Sequence, residues 1–81
     1  MNFNVDEYDF PIYRKYKNGK NYFKINSLKQ FEEIQLIGTK KIHRIINAVQ
    51  FPELNFILDL CKKSFDQIEE ITASEYNSML S

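Results

Sequence analysis

Residues 12–25 read IYRKYKNGKNYFKI, two aromatic-rich runs on either side of Asn18-Gly19. A type I′ turn needs positive φ at both central positions, which Asn and Gly accept, so this dipeptide between β-type runs predicts a hairpin. A two-residue loop then sets the register. Ile12 faces Ile25, Arg14 faces Phe23 and Tyr16 faces Asn21 on one side, while Tyr13 with Lys24, Lys15 with Tyr22 and Lys17 with Lys20 make up the other. The second side carries no aliphatic residue, as expected of an antiparallel pair with one buried and one solvated face.

Beyond the hairpin, helical and extended signals alternate. Ser27-Leu28-Lys29-Gln30 has the spacing of a capping box, Leu28, Phe31 and Ile34 follow at helical intervals, and Gly38 suits a helix stop. A helix is therefore expected over residues 27–37. Residues 40–49 hold Ile42, Ile45, Ile46 and Val49 at both parities, which predicts a central strand covered on both faces. Pro52 and Glu53 fit the first turn of another helix, with Leu54, Ile57, Leu58 and Cys61 as its core stripe and Lys62 and Lys63 at its end. Residues 65–71 fit a strand, after which Thr72-Ala73-Ser74-Glu75 caps a short terminal helix; one long helix from Ser64, with Gln67 completing its box, is the alternative.

The resulting order is ββαβαβα. It describes an α+β fold whose N-terminal antiparallel hairpin joins a mixed three- or four-stranded sheet, with helices packed mainly on one face. The expected core is Ile12, Phe23, Ile25, Phe31, Ile34, Ile42, Ile46, Leu54, Ile57, Leu58, Cys61, Ile68 and Ile71. Residues 11–81 form this single small domain. Residues 1–10, MNFNVDEYDF, are an acidic-aromatic segment that either covers part of the core or serves as a mobile recognition arm.

Composition narrows the function classes. Eighty-one residues support one core, and 43% hydrophobic with 27% charged residues describe a folded chain. Eleven Lys/Arg balance eleven Asp/Glu, so no whole-chain field draws the protein to nucleic acid or membrane. The charge is segregated nonetheless: residues 11–44 hold nine Lys/Arg against Glu32 and Glu33, and acids dominate both ends. One cysteine, one histidine and two glycines leave no basis for an internal disulfide, a Cys/His zinc site or a Gly-rich phosphate loop, so no cofactor is expected. The acidic start and the absence of any long apolar run predict a cytoplasmic protein with no membrane association. A bias to Lys, Asn, Ile, Phe and Tyr fits a bacterial, AT-rich reading frame and carries no functional meaning.

Catalysis has little to draw on. His43 and Cys61 are single representatives of their kinds, and Cys61 lies on the apolar stripe, where a thiol behaves as a small hydrophobe. Glu32/Glu33 and Glu69/Glu70 are adjacent pairs whose side chains diverge, so neither makes an acid/base dyad. No catalytic, cofactor-binding or metal residue is assigned, and the chain is not expected to be an enzyme.

Two surfaces remain as binding candidates. Tyr13, Lys15, Lys17, Lys20, Tyr22 and Lys24 place rings among ammonium groups on the solvated hairpin face, which suits single-stranded nucleic acid, with Arg14, Lys40, Lys41, His43 and Arg44 extending the field. The same residues are also what a solvent-facing edge hairpin uses to cover its backbone and to block sheet-to-sheet pairing. Phe56 lies off the apolar stripe of its helix and, with Leu60 at the border of that stripe, is the candidate interface. The leading expectation is a small non-catalytic protein-interaction module that binds an unidentified protein partner or itself as a homodimer. Single-stranded nucleic-acid binding through the Tyr/Lys face is the alternative.

Overall fold

The computed structural model describes residues 8–80. The hairpin of β1 (Ile12–Tyr16) and β2 (Asn21–Ser27) has the expected register, Ile12 with Ile25, Tyr13 with Lys24, Arg14 with Phe23 and Lys15 with Tyr22. Its turn is not type I′. Only Gly19 takes a positive φ, 74°, and its N–H donates to the Tyr16 carbonyl at 2.9 Å, so Lys17 and Asn18 hold the central positions. The Asn18 side chain accepts from the Lys20 N–H at 2.9 Å, a local bond that Asn commonly supplies in turns.

The chain continues through β3 (Gln30–Ile37), β4 (Lys40–Asn47), α1 (Phe51–Lys62), β5 (Ile68–Glu70) and α2 (Ala73–Ser78). The five strands form one sheet in the order β4-β3-β2-β1-β5, every pair antiparallel. The expected mixed sheet of three or four strands is therefore replaced by a larger, wholly antiparallel one. The difference begins at residues 30–37, which are a strand and not a helix. Ser27 Oγ accepts from the Lys29 N–H at 3.1 Å inside a two-residue turn instead of capping a helix. Gly38, with φ of 60°, occupies the first position of the next two-residue turn, where a type II′ geometry demands it. Phe31 and Ile34 sit on opposite faces of β3 and both are buried, so the alternation that would mark a half-buried strand is lost.

Helices cover both faces of the sheet. On one, Ile57, Leu60 and Cys61 of α1 pack with Phe23, Ile25, Phe31, Ala48 and Ile68. On the other, Tyr76 of α2 packs with Tyr22 and Ile34, flanked by Tyr13, Leu36, Ile71 and Met79. This corrects the single helical layer. It also moves β4 from the centre to the edge of the sheet, and Ile42, expected in the core, is exposed there. The expected strand and terminal helix after residue 64 are both present, and Thr72 Oγ1 accepts from the Glu75 N–H at 3.0 Å as the N-cap. Of the N-terminal segment, Tyr8 and Phe10 pack against the α1-side core, and the expectation for residues 1–7 lies outside the described residues.

The two halves of the chain are joined by Arg14. It projects from β1 on the α1 side, where its neighbours are apolar, and its side chain is only 12% exposed. Nε donates to the Leu60 carbonyl at 3.0 Å, Nη2 to the Cys61 carbonyl at 3.2 Å and Nη1 to the Tyr13 carbonyl at 3.0 Å. The last carbonyls of a helix lack intrahelical donors and carry the negative end of its dipole, so a buried guanidinium there satisfies both. Lys63 completes the end in the left-handed region, φ 53°, with the Ser64 N–H on the Asp59 carbonyl at 3.0 Å. Replacing Arg14 with Met keeps the stem but removes three donors; Leu60 and Tyr13 keep the N–H groups of Lys63 and Ile71 at 3.3 and 3.4 Å, and the Cys61 carbonyl loses its side-chain partner. Arg14→Met is expected to cost about 2–3 kcal/mol in urea unfolding, against less than about 0.5 kcal/mol for Lys17→Met at the exposed turn.

Candidate functional site

The Tyr/Lys face of the hairpin does not lie open. Its pairing with β3 and the seating of α2 bring Tyr13, Lys15 and Tyr22 together beneath the C-terminal helix. Tyr22 is 8% exposed, and the Tyr13 ring lies 5.5 Å from that of Tyr76 at a tilt of 49°. Lys15 Nζ meets Glu75 Oε2 at 3.0 Å and Glu69 Oε2 at 3.9 Å, and lies 6.0 Å from the Tyr22 ring centre. The hydrogen bond to Glu75 is the main reason that the Lys15 ammonium is held above its ordinary pKa. Lys24 is half-buried and paired in register with Glu32, whereas Lys17 and Lys20 are exposed at the turn, on strand ends away from this cluster.

The second candidate surface is also occupied. Leu60 has no exposed area, and the partly buried Phe56 ring packs edge-on to Phe23 at 5.7 Å and tilted against Phe31 at 5.5 Å. The extended basic field divides between faces. Arg14 is inside, Arg44 donates to Glu33 at 2.8 Å on the α1 side, and His43 Nε2 lies 2.8 Å from Glu32 on the α2 side. Glu33 is itself buried and accepts from Asn21 Nδ2 at 2.7 Å, which makes it a bridge across three strands.

Groups that could carry chemistry are held in structural roles. Cys61 is buried, and burial pushes its thiol up despite the opposing pull of the Arg14 charge, so thiolate reactivity is suppressed. A polar groove of about 460 Å³ runs beside β5, and its charged walls are paired with one another, Lys15 with Glu69 and Glu75 and Lys63 with Glu70 at 3.4 Å. Among the described residues there is no group of acids, histidines or cysteines arranged to hold a metal, and no helix long and apolar enough to cross a membrane.

What remains exposed is β4. Among the described residues it has a strand on one side only, and seven of its eight residues are exposed, including Ile42 and Ile45, the latter 59%. Val49 and Phe51 continue the apolar surface past its end at 80% and 74% exposure. Bonding along an antiparallel pair alternates, and two bonds fix the phase here. The Leu36 N–H turns away from β4 to the Lys20 carbonyl, and the Ala48 N–H turns inward to the Lys29 carbonyl. The backbone groups of Ile42, Arg44 and Ile46 therefore serve the β3 ladder, and those of His43, Ile45 and Asn47 point outward. Sequence reasoning gave this segment a central place; the mixture of Lys40, Lys41, His43 and Arg44 with isoleucine was the available sign of an edge.

Two measurements probe these assignments. Burial opposes ionisation of Glu32, but hydrogen bonds from Asn26 and His43 outweigh it and hold the carboxyl below the ordinary range. Its stabilising share is present above that range and lost as pH falls through the folded value, so Glu32→Gln should flatten the acid limb of a stability–pH curve. The Tyr76 ring is fully buried, yet its hydroxyl has no hydrogen-bond partner among the described residues, and burial raises its pKa strongly. Tyr76→Phe should leave thermal stability within about 1 kcal/mol, whereas Tyr76→Ala should cost about 3–5 kcal/mol. The chain matches no protein-family model, no curated protein and no solved structure, so its function rests on the chemistry of these surfaces.

Proposed function

We propose that the chain is a non-catalytic protein-interaction module that accepts an extended segment of its partner as a sixth strand along β4. One observation carries this reading: an eight-residue edge strand with outward backbone donors and acceptors and an exposed isoleucine on each face. Strand addition gains affinity from main-chain bonds and specificity from alternate side chains, and both are on offer here. The opposite edge is only three residues long and is flanked by α2, the kind of short edge that proteins use to discourage pairing. Nucleic-acid binding by the hairpin loses its support because the rings that would stack on bases are packed against Tyr76 and Lys15 is engaged by Glu75.

Native-state amide exchange tests the reading without a partner. The His43 and Ile45 amides should exchange at least about tenfold faster than those of Ile42 and Arg44 in the same strand. Equal protection of all four would mean that the edge is already covered, and would end the proposal. In parallel, a mixed-sequence single-stranded oligonucleotide at low salt should leave the hydrodynamic mass unchanged. A mass increase that is reversed by salt would reinstate the Tyr/Lys turn as the site.

A further inference from the structure

Resting on that reading, we propose that the partner is a second copy of this chain, whose β4 lies antiparallel to the first about a two-fold axis at Ile45 and joins the two five-stranded sheets into one. Charge does not call for a foreign acidic segment, because the cations of β4 are answered from within the chain. Arg44 donates to Glu33, His43 Nε2 lies against Glu32, and Lys41 is also engaged. The apolar side chains and backbone groups left uncovered are Ile45 at 59%, Val49 beyond the strand's end at 80%, and the outward groups of His43, Ile45 and Asn47. A two-fold interface sets the same patch against itself, so one surface covers both.

The residues of β4 select one register. Outward-bonding residues must face outward-bonding residues, so the axis falls on a residue and not between two. More than half of each strand pairs only when that residue is Ile42, His43, Arg44 or Ile45. Cross-strand neighbours stand about 5 Å apart, where like charges repel. An axis at Ile42 sets Lys40 against Arg44, and one at Arg44 sets that guanidinium against its twin. An axis at His43 puts two imidazoles at the centre and leaves Ile45 opposite Lys41. With the axis at Ile45, the two Ile45 side chains cover each other, Arg44 faces Ile46, His43 faces Asn47 and Ile42 faces Ala48, so no cation faces a cation. Main-chain bonds then join the two Ile45 residues and, on either side of the axis, His43 and Asn47. Farther out, Val49 of one copy meets the aliphatic stem of Lys41 of the other, and Lys40 runs beside Gln50. There Glu53 Oε1 accepts from the Val49 and Gln50 N–H groups at 3.4 and 3.5 Å, so each copy's basic end arrives at the acid that opens the other's α1.

The test follows hydrodynamic mass and amide exchange of the full chain from about 1 μM to about 1 mM, which spans weak and moderate dissociation constants. The exchange contrast within β4 belongs to the dilute monomer. As concentration rises, the mass should climb to that of a dimer and the His43, Ile45 and Asn47 amides should slow in step. Ile45→Glu and Ile45→Lys each set like charges at the axis and should each weaken the dimer at least about tenfold. An equal mixture of the two variants sets Glu against Lys and should restore it, which a loss of folding could not do. Mass that stays monomeric throughout, with the exchange contrast intact, would overturn the second copy and leave β4 to a foreign strand. A dimer that forms without slowing these amides would overturn its placement on β4. A dimer that Ile45→Glu leaves intact or tightens would overturn the axis, since axes at His43 and Arg44 set residue 45 against Lys41 and His43; so would a mixture that fails to restore it. Equal protection along β4 at every dilution would end the strand-addition reading together with this one.

Discussion

The structure depends on a cation placed where an apolar residue would be expected. Arg14 stands on the inward face of the first strand and delivers its donors to the carbonyls that end α1. A buried guanidinium is costly unless its donors are used, and a helix end is costly unless its acceptors are met; each removes the other's penalty. The pairing also sets geometry. It holds the end of α1 over the N-terminal hairpin, directs the chain past Lys63 back toward β1, and so places β5 against that strand. Glu70, one strand over, lies 4.0 Å from the same guanidinium.

From this junction the sheet acquires two unequal sides. α1 covers one with an aliphatic and phenylalanine core, where Phe23 and Phe56 meet edge to face and Phe31 is tilted against both. α2 covers a smaller area of the other, with one tyrosine as its anchor and an ion pair at its rim. On β4, Ile46 packs against the α1-side core while the other seven residues are exposed, and this strand is the surface on which the proposed interaction rests.

Much of this was legible in the sequence, and the failures have physical causes. The hairpin register from Ile12–Ile25 to Lys15–Tyr22 followed from the sequence, but the two-residue loop did not: residues 17–20 all lie between the strands, and Gly19 alone supplies the positive φ. The helix with Pro52 in its first turn and the Thr72 cap followed from local rules that tertiary contacts did not disturb. Residues 30–37 misled because a strand buried on both faces loses its alternation, and Leu28, Phe31 and Ile34 then happen to sit at helical intervals. Once that strand was mistaken for a helix, β4 lost its edge position and the hairpin's polar face appeared open. The candidate residues Tyr13, Lys15 and Tyr22 were correctly grouped on one face, but which element would cover them is a long-range matter, decided by where Tyr76 lands. Arg14 left one readable trace: its parity put a full charge opposite Phe23 on the apolar side.

The sheet order has a consequence for synthesis. Its first strand is flanked by β2 and by β5, which follows only after β2, β3, β4 and α1, so β1 keeps an unpaired side until residues 68–70 have left the ribosome. Through that interval the outer edge of the nascent meander is β1 itself instead of the shorter β5, and the rings of Tyr13 and Tyr22 lack the tyrosine that later shields them. Every element from β2 to α1 must emerge before that side of β1 is covered. The pairing of β1 with β5 is thereby the latest contact of the sheet to become possible, and the growing chain is most prone to association before it forms.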